Sequence, residues 1–386
     1  MTDWKTDILG NVPIKFIDGD RSSRYPKREE FVSEGIPFLN AESINENSVN
    51  LSKANLITEE KFLSIKKGRL QQGDLILTTR GNGVGQAAFF NQTSQDALIN
   101  AQLLILRPDE AYIDPAFLYY SFTTPFFKSN LKNFVSGSAQ PQLPIKSLRN
   151  IEFSYPPLIT QRKIADILSS YDRLIDNNNR RIALLEESIH LLYKEWFVRS
   201  RFPGYESVKL VDGIPEGWNC INFSEALILQ RGFDLPNKDR KPGDIPIYAS
   251  TGINGFHDTP KVKAPGVVTG RSGSLGSVMY VQKDFWPLNT TLWVKEFKKV
   301  TPPFAYCLLS QMDLNSYQAG AAVPTLNRNV IHGVKILVPC EQLQSKFDNF
   351  ANLILIQIEV LKKYNYNLRQ ARNLLLPRLM NGSIAV

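Results

Sequence analysis

The chain has 386 residues, 43% of them hydrophobic and 21% charged, which excludes a disordered or fibrous protein and leaves room for two or three domains with real cores. Its 45 Lys and Arg against 37 Asp and Glu give a formal charge of +8, a balance that favours a polyanionic partner without identifying one. Cys220, Cys307 and Cys340 lie too far apart for a disulfide framework or a zinc site, and no apolar run approaches the ~18 residues of a membrane span. With no basic region and apolar core at the N-terminus, a soluble cytoplasmic protein is predicted.

From the N-terminus, a basic loop carrying Arg21, Arg24, Lys27 and Arg28 precedes "IPFLNAESI" at 36–44. Short apolar strands follow in "DLILTT", "LLILRP" and "NIEFSYPP", separated by Gly, Asn and Pro turns, with a local helix in "DPAFLYYSFTTPFFKSNL". A long gap-free helical pattern then runs from Thr160 to Phe197. Its residues Ile164, Leu168, Tyr171, Ile175, Asn178, Ile182, Leu185, Ile189, Leu192 and Trp196 alternate at spacings of four and three, the seam of a coiled coil. At the usual rise such a helix measures about 57 Å.

The second half repeats the first. "IPIYASTGI" at 245–253 echoes 36–44, and "APGVVTGRSGSLGSVMYV" at 264–281 echoes "GDLILTTRGNGVGQAAFF" at 73–90, so that Arg80 falls on Arg271 and Gly85 on Gly276. "SYQAGAAVPTLNRNVIHGVKILVPC" at 316–340 echoes 133–157, and strands are predicted in "GVVTG", "VMYV", "LWVKEF" and "VKILVP", with a helix in "TPPFAYCLLSQMDLNSY". The offset of 183 residues holds through a second long helix, placing Gln344 on Gln161 and Phe347 on Ile164, with a seam of Phe347, Ala351, Ile354, Ile358, Leu361, Asn365, Leu368, Arg372, Leu375 and Leu379. This helix is expected to break at Pro377, ahead of Asn381-Gly382.

The predicted class is therefore α+β: two pseudosymmetric globular domains, 1–157 and 203–340, separated by two long antiparallel coiled-coil helices, 158–202 and 341–386. Antiparallel pairing about a pseudo-twofold axis sets Asn178 opposite Asn365, Ile164 opposite Leu379 and Ile175 opposite Leu368. Facing asparagines would fix the register at a cost in stability; the bland alternative leaves each solvated beside an imperfect seam. The helix faces outside the seam, including Ile167, Leu174, Leu184, Leu191 and Phe197, are more apolar than a two-helix coil requires. They fit either partner helices or burial against the chain's own globules.

If the polyanionic partner is DNA, its contacts fall on polar loops, because Arg reads guanine and Asn or Gln reads adenine, whereas phosphates need only positive charge. In the first copy these are Arg80, Asn82 and Gln86 in "TTRGNGVGQ", Gln140 and Gln142 in "GSAQPQLP", and the basic loop. In the second they are Arg231, Lys238, Arg240 and Lys241 in "QRGFDLPNKDRK", Arg271 and Ser272 in "GRSGSLG", and Asn327 and Arg328. Hairpin turns, structural ion pairs for Arg80 and Arg271, and a solvated surface for the basic loops are the competing readings.

No catalytic constellation emerges. The Gly-rich stretches are not followed by a dinucleotide-fold helix, no Walker-type Gly-Lys-Ser/Thr occurs, and "SYPP" lacks the acidic or amide lead of an adenine methyltransferase loop. His190, His257 and His332 are too scattered for a predicted metal site.

In its order of globule, helix, globule, helix, and in the run Pro156-Pro157-Leu158, Gln161, Ile164-Ala165, Leu168, Asp172 and Ile175 preceded by "GSAQPQLP", the chain resembles the specificity subunit of a type I restriction-modification system. The second copy departs from that run with Pro339-Cys340-Glu341. The resemblance covers essentially the whole chain. It implies two target recognition domains, each reading half of a split double-stranded DNA sequence, and helices that act as spacers and dock two methylation subunits, with restriction subunits joining. Under this resemblance the chain holds no catalytic residue, metal or cofactor; S-adenosylmethionine, ATP and Mg belong to the partner subunits. The alternatives are a self-contained DNA methyltransferase or nuclease, or a duplicated coiled-coil adaptor without a DNA role.

Overall fold

The computed structural model describes residues 4–45, 48–81, 83–92, 96–137, 141–319 and 325–386. Packing divides the chain into two compact units, Met1–Asp176 with Tyr366–Val386, and Asn177–Asn365. Both divisions fall inside the long helices, so each unit combines one globule with a segment of each helix.

The first unit is built on a four-stranded antiparallel sheet in the order Ile14–Asp18, Leu103–Pro108, Asp74–Thr78, Ala87–Phe90. The run "DLILT" is apolar without alternation because both of its faces are covered. Leu75 and Leu77 enter a cluster with Phe117 and Leu118 of helix Pro115–Thr123, while Ile76 enters another with Leu39 and Ile99. The helix expected over 114–131 is two helices, since Pro125 opens a new one capped by the Thr124 hydroxyl.

In the second unit the sheet order is Leu227–Arg231, Thr291–Phe297, Gly266–Gly270, Val278–Val281. In chain order both sheets read first, fourth, second, third. Each unit also has a three-stranded sheet with one parallel pair, Ile36–Leu39 beside Leu98–Ile99 and Ile245–Ala249 beside Trp286–Pro287. Each closes with an antiparallel pair, Lys5–Ile8 on Glu152–Tyr155 and Asn219–Asn222 on Lys335–Val338.

One buried glutamine fixes each long helix to its globule. Gln161 donates from Nε2 to the carbonyls of Tyr112 and Pro156 at 3.0 and 2.8 Å and accepts from the Asp114 amide at 2.9 Å. Gln344 repeats this with the Lys299 and Pro339 carbonyls at 2.9 and 3.1 Å and the Thr301 amide at 3.0 Å.

The central helix spans Leu158–Tyr193 and ends in a wider π-type turn over Lys194–Val198. Within the first unit, Ile164 and Leu168 share a cluster with Leu376 and Leu379, and Arg372 pairs with Asp172, so the two helix segments run antiparallel. Tyr120 donates its hydroxyl to the other Asp172 oxygen at 2.7 Å, and burial, then Asp172, pushes the phenol pKa up. Within the second unit, Asn178 donates from Nδ2 to Asn365 Oδ1 at 2.9 Å, Asn365 donates to Asn179 Oδ1 at 2.8 Å, and Trp196 lies 6.0 Å from Phe347. This pair is antiparallel too.

The C-terminal helix, Glu341–Met380, does not break at Pro377. Buried Leu376 and Leu379 hold the last turn on the first-unit core on both sides of the proline, and the chain leaves the helix at Gly382, φ +73°.

Candidate nucleic-acid interface

Glycines at positive φ shape the turn after the second sheet strand of each unit, Gly85 at +87° and its counterpart Gly276 at +82°. Each turn is joined to a segment some 60 residues further on. In the first unit Gly81 N–H donates to the Pro141 carbonyl at 3.0 Å and Leu143 N–H to Thr79 at 2.9 Å, setting Arg80 against Gln142. In the second, Leu326 N–H donates to the Arg271 carbonyl at 2.8 Å and Ser272 lies against Thr325. The glycines thus make the turns that the hairpin reading expects.

In the second unit this device, with Arg231 and helix Arg328–His332, borders an open hollow of about 490 Å³ lined by Arg231, Arg271, Thr325, Asn327, Arg328 and Asn329 together with Leu292 and Leu326. Among the described residues no carboxylate lines it. Arg231 is 3.9 Å from Asp234, Arg328 is exposed, and half-buried Arg271 makes one long contact, 3.4 Å, to the Asn289 carbonyl. Among the described residues neither Arg271 nor Arg80 forms an ion pair. Asn327 accepts from the Asn329 amide at 3.1 Å and so caps the helix that presents Arg328.

In the first unit a hollow of about 330 Å³ is lined by Arg21, Arg24, Lys66 and Lys67 with Asp20 and Ser22. Lys66 and Lys67 were not among the sequence candidates; the signal was the lysine pair ahead of Gly68. Asp20 serves its own turn, the Ser22 amide holding its carboxyl below the usual range, and Arg24 donates to the Ser64 carbonyl at 3.2 Å.

The remaining candidates are dispersed. Gln86, Lys27, Arg28, Lys238 and Lys241 are exposed but line neither hollow. Arg240 is occupied by a hairpin, donating to the Asn254 carbonyl at 2.6 Å and to Asn254 Oδ1 at 3.0 Å. Asn82 and Gln140 lie outside the described residues. Of the helix-face residues, Leu174, Leu184 and Leu191 are exposed and Ile167 packs partly on the first-unit core. Phe197 is not open to a partner: it is 7% exposed, wedged 4.9 Å from Phe304 and 5.2 Å from Phe347.

His332 ties the hollow of the second unit to the sheet. Its Nε2 accepts from the Leu229 amide at 3.1 Å, and burial, then the nearby Arg328 and Lys298 charges, lower its pKa from the usual value. A depressed folded-state value means that the neutral ring contributes fully above the unfolded pKa of ~6.5 and that this contribution is lost as pH falls through the folded value. The melting temperature of the second unit should thus drop on acidification below about pH 6.5, with a flatter profile for His332→Gln in a pH series of thermal melts.

Residues 2–187 match the family model described as the type I restriction modification DNA specificity domain. Over 426 aligned positions the chain is 24% identical to the type I restriction enzyme MjaIX specificity subunit of Methanocaldococcus jannaschii, covering all of this chain and 97% of that one. It is 26% identical to the MjaVIII specificity subunit of the same organism, over 60% of this chain and 50% of that one. The crystal structure of a type I restriction-modification S subunit from M. genitalium superposes with a TM-score of 0.61 at 17% identity, covering 98% of this chain and 96% of that one, which shows a shared fold. Among the described residues no helix is long and apolar enough to cross a membrane. The first half of the chain thus matches the type I DNA specificity domain, and the whole chain is similar to the specificity subunits of type I restriction-modification systems.

Proposed function

We propose that each unit reads one half of a bipartite duplex DNA target, with recognition and not catalysis as the role of this chain. The single observation that carries the reading is the second-unit hollow, where three arginines from distant parts of the sequence converge with no carboxylate among the described residues of its lining. Arg271, held by its backbone on both sides, is the base reader of that unit; Arg231 and Arg328 at the rim hold phosphates. In the first unit Arg21, Arg24, Lys66 and Lys67 hold phosphates, and Arg80 with Gln142 faces bases. Methylation subunits carrying S-adenosylmethionine, and restriction subunits using ATP and Mg, dock on this chain, with exposed Leu174, Leu184 and Leu191 as contact points.

The test is binding of the complex with its methylation subunits to duplex DNA across a salt series. Neutralising Arg21, Arg24, Lys66 and Lys67 together should lower the slope of log affinity against log salt by roughly 2 to 4, at ~0.9 per lost phosphate contact. An unchanged slope would remove that hollow from the interface.

A further inference from the structure

The constant offset between the repeats allows each helix layer to be compared with its symmetry-related layer, and two layers break the symmetry. In the first unit Asp172 pairs with Arg372, their side chains 28% and 20% exposed. The related positions in the second unit are Leu355 and Ile189, both buried in one apolar cluster. Likewise Asn178 bonds Asn365, which is 2% exposed, whereas the related positions are Leu361 and Ile182, again in that cluster.

A duplicated chain runs a particular risk: because its two helices carry related seams, two central helices from two copies could pair in place of one central and one C-terminal helix. In that arrangement Ile189 takes the place of Arg372 and Ile182 that of Asn365. Asp172 then loses its guanidinium and Asn178 its amide partner. Two C-terminal helices fare no better, with Arg372 against Leu355 and Asn365 against Leu361. A half-buried charge or amide left against an aliphatic side chain is strongly disfavoured, whereas each polar pair is satisfied in the unlike arrangement. We infer that Asp172–Arg372 and Asn178–Asn365 form a pairing code: the central helix accepts the C-terminal helix and rejects a second central helix. The code acts through mismatch in the wrong pair more than through attraction in the right one.

The full chain can be tested with a protease site inserted at the exposed turn Gly204–Glu206, folded, nicked, unfolded in denaturant and refolded, the resulting pairs being counted by native mass spectrometry. The native sequence should return only the unlike pair of halves. With Asp172→Leu, Arg372→Ile, Asn178→Leu and Asn365→Ile, every layer becomes apolar in all arrangements, and like pairs should rise ~10-fold or more toward their statistical share. The milder Asp172→Leu/Arg372→Ile variant keeps the asparagine pair and should give an intermediate share, which maintains the test should the fourfold variant not refold. Like pairs at statistical share from the native sequence, or variants that refold as exclusively unlike pairs, would overturn the code.

Discussion

Replacing Arg271 by lysine is expected to relax one base position in the half-site read by the second unit while leaving the other half-site unchanged. The guanidinium presents a planar fork of donors, of which one is used among the described residues, in a long contact to the Asn289 carbonyl. Its backbone is fixed by Arg271 N–H donating to Thr290 at 2.8 Å and its carbonyl accepting from Leu326. Such a fork matches guanine O6 and N7, and a good bidentate contact discriminates against other bases by about 1–3 kcal/mol, roughly 5- to 150-fold. Lysine keeps the charge and loses the fork, so discrimination should fall with little change in the salt dependence of binding. If Arg271 instead held a phosphate, Arg271→Lys would leave the motif intact and Arg271→Gln would weaken all sequences alike. Binding selections with randomised half-sites separate these results.

Gln344→Leu should destabilise the second unit by about 3–5 kcal/mol, because a buried amide that satisfies three backbone groups is lost and each orphaned group costs ~1–3 kcal/mol. The groups stranded are the Lys299 and Pro339 carbonyls and the Thr301 amide. Trp196, Trp218, Trp286 and Trp293 all lie in that unit, so tryptophan fluorescence in a denaturant titration reports its unfolding. Gln161→Leu should act equally on the first unit, read by hydrogen exchange of Pro115–Thr123. A shift below about 1 kcal/mol in either would mean that water or a relaxed backbone replaces the amide.

The frame was legible because repetition encodes it twice. The paired strands, the long helices and the glutamines appear at one offset, and a seam of period 3.5 leaves little choice of helix face. Pro377 misled because local propensity was outweighed by Leu376 and Leu379, whose burial keeps the last turn helical. For Phe197 the second of its two readings holds: helix periodicity gives a face but not what covers it, and here Phe304 from the globule does so.

The candidate site was only half legible. Residue types singled out Arg231, Arg271 and Arg328, but nothing in the sequence says that 271 and 326 are neighbours; a backbone ladder bond makes them so. Lys238 and Arg240 had the same chemistry on paper, and Arg240 proved to be engaged with Asn254. Lys66 and Lys67 were passed over because two adjacent lysines signal little until a fold sets Arg21 and Arg24 beside them.

Mapping methylated adenines in DNA from cells carrying the chain with its partner subunits tests whether it reads two half-sites and thereby places methylation. One bipartite motif with a single fixed gap is expected, its second-unit half containing a G·C pair that becomes degenerate in Arg271→Lys. A continuous motif, or adenine methylation that is unchanged when the chain is deleted, would contradict it.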